Sequence, residues 1–243
     1  MLAFRVVTIA DLHLMKRDGR KIVGVVAWDC QIAHIADRAG VDLVSVGDSV
    51  GVNLWGHADP DEITLDEVLL VCKAVRRGVQ RALLSCDLPS REQSVDAAVR
   101  AKQAGADMVK LLGSAEAVRA VVRAGIPVFA EFHGGQKEET AKLIDQARRL
   151  EDAGASLLDF RQSGPVAGEA VVRAVRIPVI GGLGGGPWLD GRMRMAHAAI
   201  GYAASNLESK AENYANVAKI TLDAISAYAT DVRAARQIKG QRA

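Results

Sequence analysis

The chain has 243 residues, 49% hydrophobic and 25% charged, which suits one α/β domain with a large core and excludes a disordered chain. Its 31 basic and 29 acidic side chains leave a net charge of +2, and no basic run or aromatic interleaving marks a nucleic-acid surface, so small molecules are the expected partners. Cys30, Cys72 and Cys86 are odd in number and lack metal-finger spacing; with no secretory leader and no apolar stretch of membrane-spanning length, buried thiols in a cytoplasmic protein are expected.

In chain order, residues 8–18 read as a helix lying across one end of the fold. Short runs rich in Val, Ile and Leu then recur at 21–28, 41–47, 81–87, 107–112, 126–132, 155–160 and 177–182, with a weaker eighth, GRMRMAH, at 191–197. Helix-like segments separate them. Continuous apolar runs alternating with helices describe a parallel sheet covered on both faces. Ala-Gly precedes four of the runs, in DRAGVD, KQAGAD, RAGIP and EDAGAS, and a glycine just past a helix end adopts the left-handed conformation that closes the helix. Seven or eight βα units predict a (β/α)8 TIM barrel rather than a doubly wound sheet. It is read as a single domain over residues 1–243 with its N-terminal helix across one end. Glu208 to about Arg236 reads as one or two helices.

In such a barrel, polar residues at the carboxyl ends of the strands face the site. They are Asp29, Asp48, Asp87, Lys110, Glu131, Arg161 and the loop 181–186. Asp48 and Asp87 could share a hard divalent cation, Mg2+ first, with water and substrate completing the shell; either could instead cap the following turn. Lys110, inside an apolar strand, needs an anion or a lowered pKa. A substrate oxygen or a barrel carboxylate would serve. GGLGGGP at 181–187 offers backbone N–H groups but lacks a nucleotide fingerprint. HGGQ at 133–136 suggests a turn, with His133 an ordinary loop residue, and the other histidines form no zinc site or triad.

The segments TIADLHLMKRDGRKIVGVVAWD, AGVDLVSVGDSVG, ITLDEVLLVCKAVRRG, CDLP, AGADMVKL, AGIPV and IPVIGGLGGGPWLDGR, in this order, resemble the ketopantoate hydroxymethyltransferase family. That resemblance implies a metal-dependent barrel that adds a one-carbon unit from methylenetetrahydrofolate to 3-methyl-2-oxobutanoate. It implies Asp48 and Asp87 as Mg2+ ligands and Ser49, Asp87 and Lys110 as contacts to the 2-oxo acid. It also implies a homo-oligomer and a role in pantothenate biosynthesis.

The chain departs from the family pattern at three places. Leu112 stands where the family has a metal-side glutamate, Arg161 where it has the catalytic glutamate, and Glu131 where it usually has histidine. The loop in HGGQKEET is also shorter. A guanidinium cannot abstract the proton beside a carbonyl, so Glu131 is the expected replacement base, and Arg161 is free to bind a further anionic group on the substrate or to pair with Glu131 or Asp159. The expected chemistry is aldol-type carbon–carbon bond making or breaking through a metal-bound enolate of a 2-oxo acid. A lyase or hydrolase of the phosphoenolpyruvate mutase/isocitrate lyase type and an inactive ligand-binding barrel stay open beside it.

Overall fold

The computed structural model describes residues 5–134, 139–182 and 184–240. Eight parallel strands close into a barrel in sequence order: β1 Ile22–Val26, β2 Leu43–Val46, β3 Leu83–Asp87, β4 Met108–Leu112, β5 Val128–His133, β6 Leu157–Arg161, β7 Val179–Gly181 and β8 Gly191–Met195. The weak eighth run is therefore a strand, and the doubly wound alternative falls with closure of the sheet. Between the strands lie α2 Cys30–Arg38, α3 Leu65–Gly78, α4 Val95–Gln103, α5 Ala115–Arg123, α6 Thr140–Asp152 and α7 Pro165–Ala174. The four Ala-Gly signals behave as expected: Gly40, Gly105, Gly125 and Gly154 all have φ between 76° and 105°, and each ends a helix just before a strand.

The opening helix, α1 Ile9–Arg17, starts at Thr8, whose side chain accepts from the Asp11 N–H while Asp11 returns the bond, the reciprocal arrangement that stops fraying. Leu12 and Met15 of α1 pack against Ile22, Leu43, Leu83, Met108, Phe129, Leu157, Ile180 and Met193. These residues come from the amino-terminal halves of the strands, except Ile180 and Met193 in the middle of β7 and β8. The helix thus stoppers the barrel at the end opposite the strand-end residues.

By their contacts the chain divides into two compact units, one running to Arg194 and carrying the barrel, the other beginning at Met195. The second contains α8 Ala196–Ile200, a short 3-10 turn and α9 Val217–Arg233. The helix expected from Glu208 begins only at Val217, because the Asn216 side chain accepts from the Lys219 N–H and sets the start there. Ile220, Leu222, Ile225, Tyr228 and Val232 of α9 are exposed, and Ala218 is its buried residue. Cys72 and Cys86 are buried free thiols, Cys30 is half-buried, and none forms a disulfide. Among the described residues no helix is long and apolar enough to cross a membrane.

Candidate active site

Side chains two residues apart on a strand share a face, so the inside of the barrel can be followed upward in steps of two. The floor residues Leu43, Leu83, Met108, Phe129 and Leu157 are followed by Ser45, Ser85, Lys110, Glu131 and Asp159, and these by Gly47, Asp87, Leu112, His133 and Arg161. Chemistry changes abruptly from apolar to ionic at the second step. Register keeps the polar residues adjacent: Ser45 faces Ser85, Asp87 faces Lys110, Glu131 faces Asp159 and His133 faces Arg161.

Lys110 is the centre of this layer. Its Nζ lies 2.6 Å from Glu131 Oε2, 2.9 Å from Asp159 Oδ2 and 3.4 Å from Asp87 Oδ2, and 5.7 Å from the centre of the Phe129 ring. Burial alone would lower the lysine pKa, but Asp159, Asp87 and Glu131 together raise it well above its ordinary value. Lys110 is therefore a fixed ammonium. Of the two ways to bury it, the anion has prevailed over a lowered pKa.

The acids around it are held in different states. Burial pushes Glu131 up, but the charge and hydrogen bond of Lys110 and the guanidinium of Arg161 outweigh it and bring its pKa down to about 2. Arg161 Nη1 donates to Glu131 Oε1 at 2.8 Å, and His133 Nε2 lies 2.7 Å from the same oxygen. For Asp87 burial dominates; Lys110 and Ser45 pull down, Asp48 and Glu131 push up, and the result is about 7. The Ser45 hydroxyl donates to Asp87 Oδ1 at 3.1 Å and lies 2.6 Å from Ser85 Oγ. Asp159 is buried and accepts the Gly182 N–H at 3.1 Å.

The structure brings Asp87, Lys110, Glu131 and Arg161 into one connected net. Asp48, just past β2, is exposed, and its charge is felt by both Asp87 and Arg161. Ser49 approaches the net across Gly47: a Cβ on that glycine would lie 3.4 Å from Ser49 Oγ and 3.5 Å from Asp87 Oδ2. The glycine therefore keeps clear a small cradle between those two oxygens. Leu112 ends β4 half out in solvent, in register with Glu131. Asp29 turns away to cap α2 through the Ile32 N–H. In the glycine loop 181–187, residue 183 lies outside the described residues, as do 135–138 of the segment after β5.

His133 requires a correction: it is the last residue of β5, bonded to Glu131, and not an ordinary loop histidine. Asp159, named from the sequence only as an alternative partner of Arg161, pairs with Lys110 instead; a lone acid two residues before Arg161 inside LLDFR shares its face and signals an internal partner. Ser45 and Ser85, buried hydroxyls inside apolar strands, carry the same weaker signal.

The comparisons with known proteins agree with this fold. The family model described as ketopantoate hydroxymethyltransferase matches residues 6–134 and 130–237. A 3-methyl-2-oxobutanoate hydroxymethyltransferase of Shewanella piezotolerans is 32% identical, covering 93% of this chain and 94% of its own. One from a Cyanothece species is 36% identical, with 94% and 97% covered. Among solved structures, a 2,3-dimethylmalate lyase of the PEP mutase/isocitrate lyase superfamily superposes with a TM-score of 0.67 at 16% identity, over 84% of this chain and 86% of that one. A phosphonopyruvate hydrolase in complex with oxalate and Mg++ gives 0.64 at 14%, over 95% and 89%; at such identities the likeness shows the fold alone. Family match and full-length identity together establish that the chain belongs to the ketopantoate hydroxymethyltransferase family, a family of transferases.

Proposed function

We propose that this barrel enolises a small 2-oxo acid and makes or breaks a carbon–carbon bond at C3, as an aldol-type hydroxymethyltransferase. The observation that carries the reading is the fixed Lys110 ammonium among Asp87, Glu131 and Asp159 at the strand ends, beside the cradle over Gly47. A developing enolate oxygen gains most from a preorganised positive charge in a water-poor site. The Lys110–Asp87 contact, at 3.4 Å the longest of the three, is the one a substrate oxygen replaces, with Ser49 as the neighbouring donor. Arg161 keeps N–H groups beyond its bond to Glu131 and binds a further anionic group if the substrate has one. Proton removal falls to the Glu131–His133 pair at the same mouth.

A divalent cation fits this donor set as a two-carboxylate site. Asp48 and Asp87 supply hard oxygen donors whose charges push against one another, and Asp87 Oδ2 borders the Gly47 cradle. Among the described residues no group of three or more such ligands is assembled, so water and substrate oxygens would have to complete the shell of a bound cation. Bound there, Mg2+ would supply positive charge next to the carbonyl. Methylenetetrahydrofolate rests on the family resemblance and enters the test as an added one-carbon donor.

The test follows deuterium incorporation at C3 of 3-methyl-2-oxobutanoate by NMR, with and without Mg2+. The wild type exchanges in a Mg2+-dependent manner, and Asp48→Asn lowers the rate at least roughly tenfold and raises the Mg2+ concentration needed. Exchange that ignores Mg2+ removes the metal from the reading; no exchange with any 2-oxo acid by folded protein removes the enolisation itself.

A homo-oligomer completes the proposal. The exposed Ile220, Leu222, Ile225, Tyr228 and Val232 put a large apolar surface on one helix, of the kind that marks subunit contacts. Sedimentation of the wild type shows an assembly, and Ile225→Glu with Tyr228→Glu reduces its mass; a monomeric wild type sinks the idea.

A further inference from the structure

Of the groups at the carboxyl ends of β5 and β6, the two carboxylates are engaged by cations or backbone and one imidazole keeps a nitrogen open. Glu131 has both oxygens occupied: Oε2 by Lys110 at 2.6 Å, and Oε1 by Arg161 at 2.8 Å and His133 at 2.7 Å. A carboxylate stabilised by two permanent cations is firmly ionised and correspondingly weak as a base. Asp159 is buried beneath Lys110 and tied to the Gly182 N–H. His133 stands two residues above Glu131 on the same face of β5, with its side chain 49% exposed. Since Glu131 can only accept, the hydrogen between them sits on His133 Nε2. That leaves the Nδ1 lone pair open, and no hydrogen bond engages it among the described residues.

We propose that His133 Nδ1 takes the proton from substrate C3 and that Glu131 is its positioning residue. The inference rests on the enolisation reading above and deepens it. In the step, the C3–H bond breaks, its electron pair forms the enolate C–C π bond, the carbonyl π pair moves to oxygen, and the proton arrives on Nδ1. The resulting imidazolium is stabilised by Glu131, the carboxylate on its other nitrogen. It is flanked by Arg161 from β6, its partner in register, and through Glu131 by Lys110 from β4. The half-exposed ring then exchanges its proton with solvent, which returns a deuteron to C3 in heavy water. Imidazole is suited to this cycle because it gains and loses protons near neutral pH.

The experiment compares C3 deuterium exchange from 3-methyl-2-oxobutanoate, with Mg2+ present, for wild type, His133→Gln and Glu131→Gln across pH 5–9, folding being checked by circular dichroism. His133→Gln loses roughly 10²- to 10⁴-fold in kcat for exchange, with KM within about threefold, and free imidazole restores part of the rate. Glu131→Gln lowers kcat for exchange by roughly tenfold or more with KM within about threefold, because the ring has lost the carboxylate that orients it. Exchange by His133→Gln within about threefold of wild type overturns the assignment, and if Glu131→Gln is then inactive the carboxylate itself is the base. A wild type that exchanges no 2-oxo acid brings down the enolisation reading, and this inference with it.

Discussion

Lys110→Met loses about 3–5 kcal/mol of folding stability near pH 8 and all measurable exchange activity. The loss follows from what remains: Glu131, Asp159 and Asp87, all close to the missing ammonium at 2.6, 2.9 and 3.4 Å, with side chains that have little water to turn to. The sign of the pH dependence follows from their states. In the wild type Glu131 is lowered from 4.5 to about 2, so its contribution is in place above 4.5 and disappears as pH falls towards 2. Asp87 works the other way. Raised from 3.8 to about 7, it favours the fold while protonated and withdraws that contribution as pH rises from about 4 to 7.

Without Lys110 both Glu131 and Asp87, which the ammonium pulls down, titrate higher in the folded protein, so the variant is penalised progressively as they ionise. Denaturant unfolding at pH 5 and pH 8 therefore shows a smaller gap between wild type and variant at pH 5. A gap that is equal at both pH values, or below about 1 kcal/mol, would mean that the ammonium is not what holds these acids together.

Gly191→Ala is the second large effect, and it lies at the barrel's seam. Ile22 of β1 donates its N–H to the Asp190 carbonyl at 2.9 Å, and a Cβ on Gly191 would run into the Ile22 backbone carbonyl. Backbone on both sides of the seam leaves no flexible side chain to yield, so the clash moves strands. A loss of about 3 kcal/mol, roughly 10 °C in melting temperature for a chain of this size, is expected. Gly182→Ala is the control: its Cβ would meet nothing nearer than the Asp159 oxygens at 3.9 Å, and stability should change by less than about 1 kcal/mol. Equal melting temperatures for the two variants would show that the seam is more compliant than its geometry.

The barrel was legible in the sequence because its signals are local. A run such as RALLSCD is apolar enough to be buried on both faces, and the glycine of KQAGAD needs only its own positive φ, 105° at Gly105, to end a helix. The strand-end rule likewise exposed Asp87, Lys110, Glu131 and Arg161, which do meet. The pairing of Arg161 with Glu131 was open to it as well; what it could not give was which carboxylates meet Lys110. Asp159 finds Lys110 from two strands away, which depends on how far each strand is staggered in the closed sheet, and periodicity within one segment carries no such information. His133 was misread for a related reason: β5 continues one residue past its apolar run, and only the neighbouring Arg161 and Glu131 make its end worth ordering. The start of α9 was missed because a single side-chain cap at Asn216 outweighs the general helical pattern before it.

The stopper formed by α1 has a kinetic consequence. With Leu12 and Met15 fully packed against the apolar floor, the barrel is a cup, and whatever reacts in it must arrive and leave over the same rim. Reactant and spent product then cannot pass one another, so accumulating product should obstruct entry in a purely competitive way and be relieved by adding more reactant.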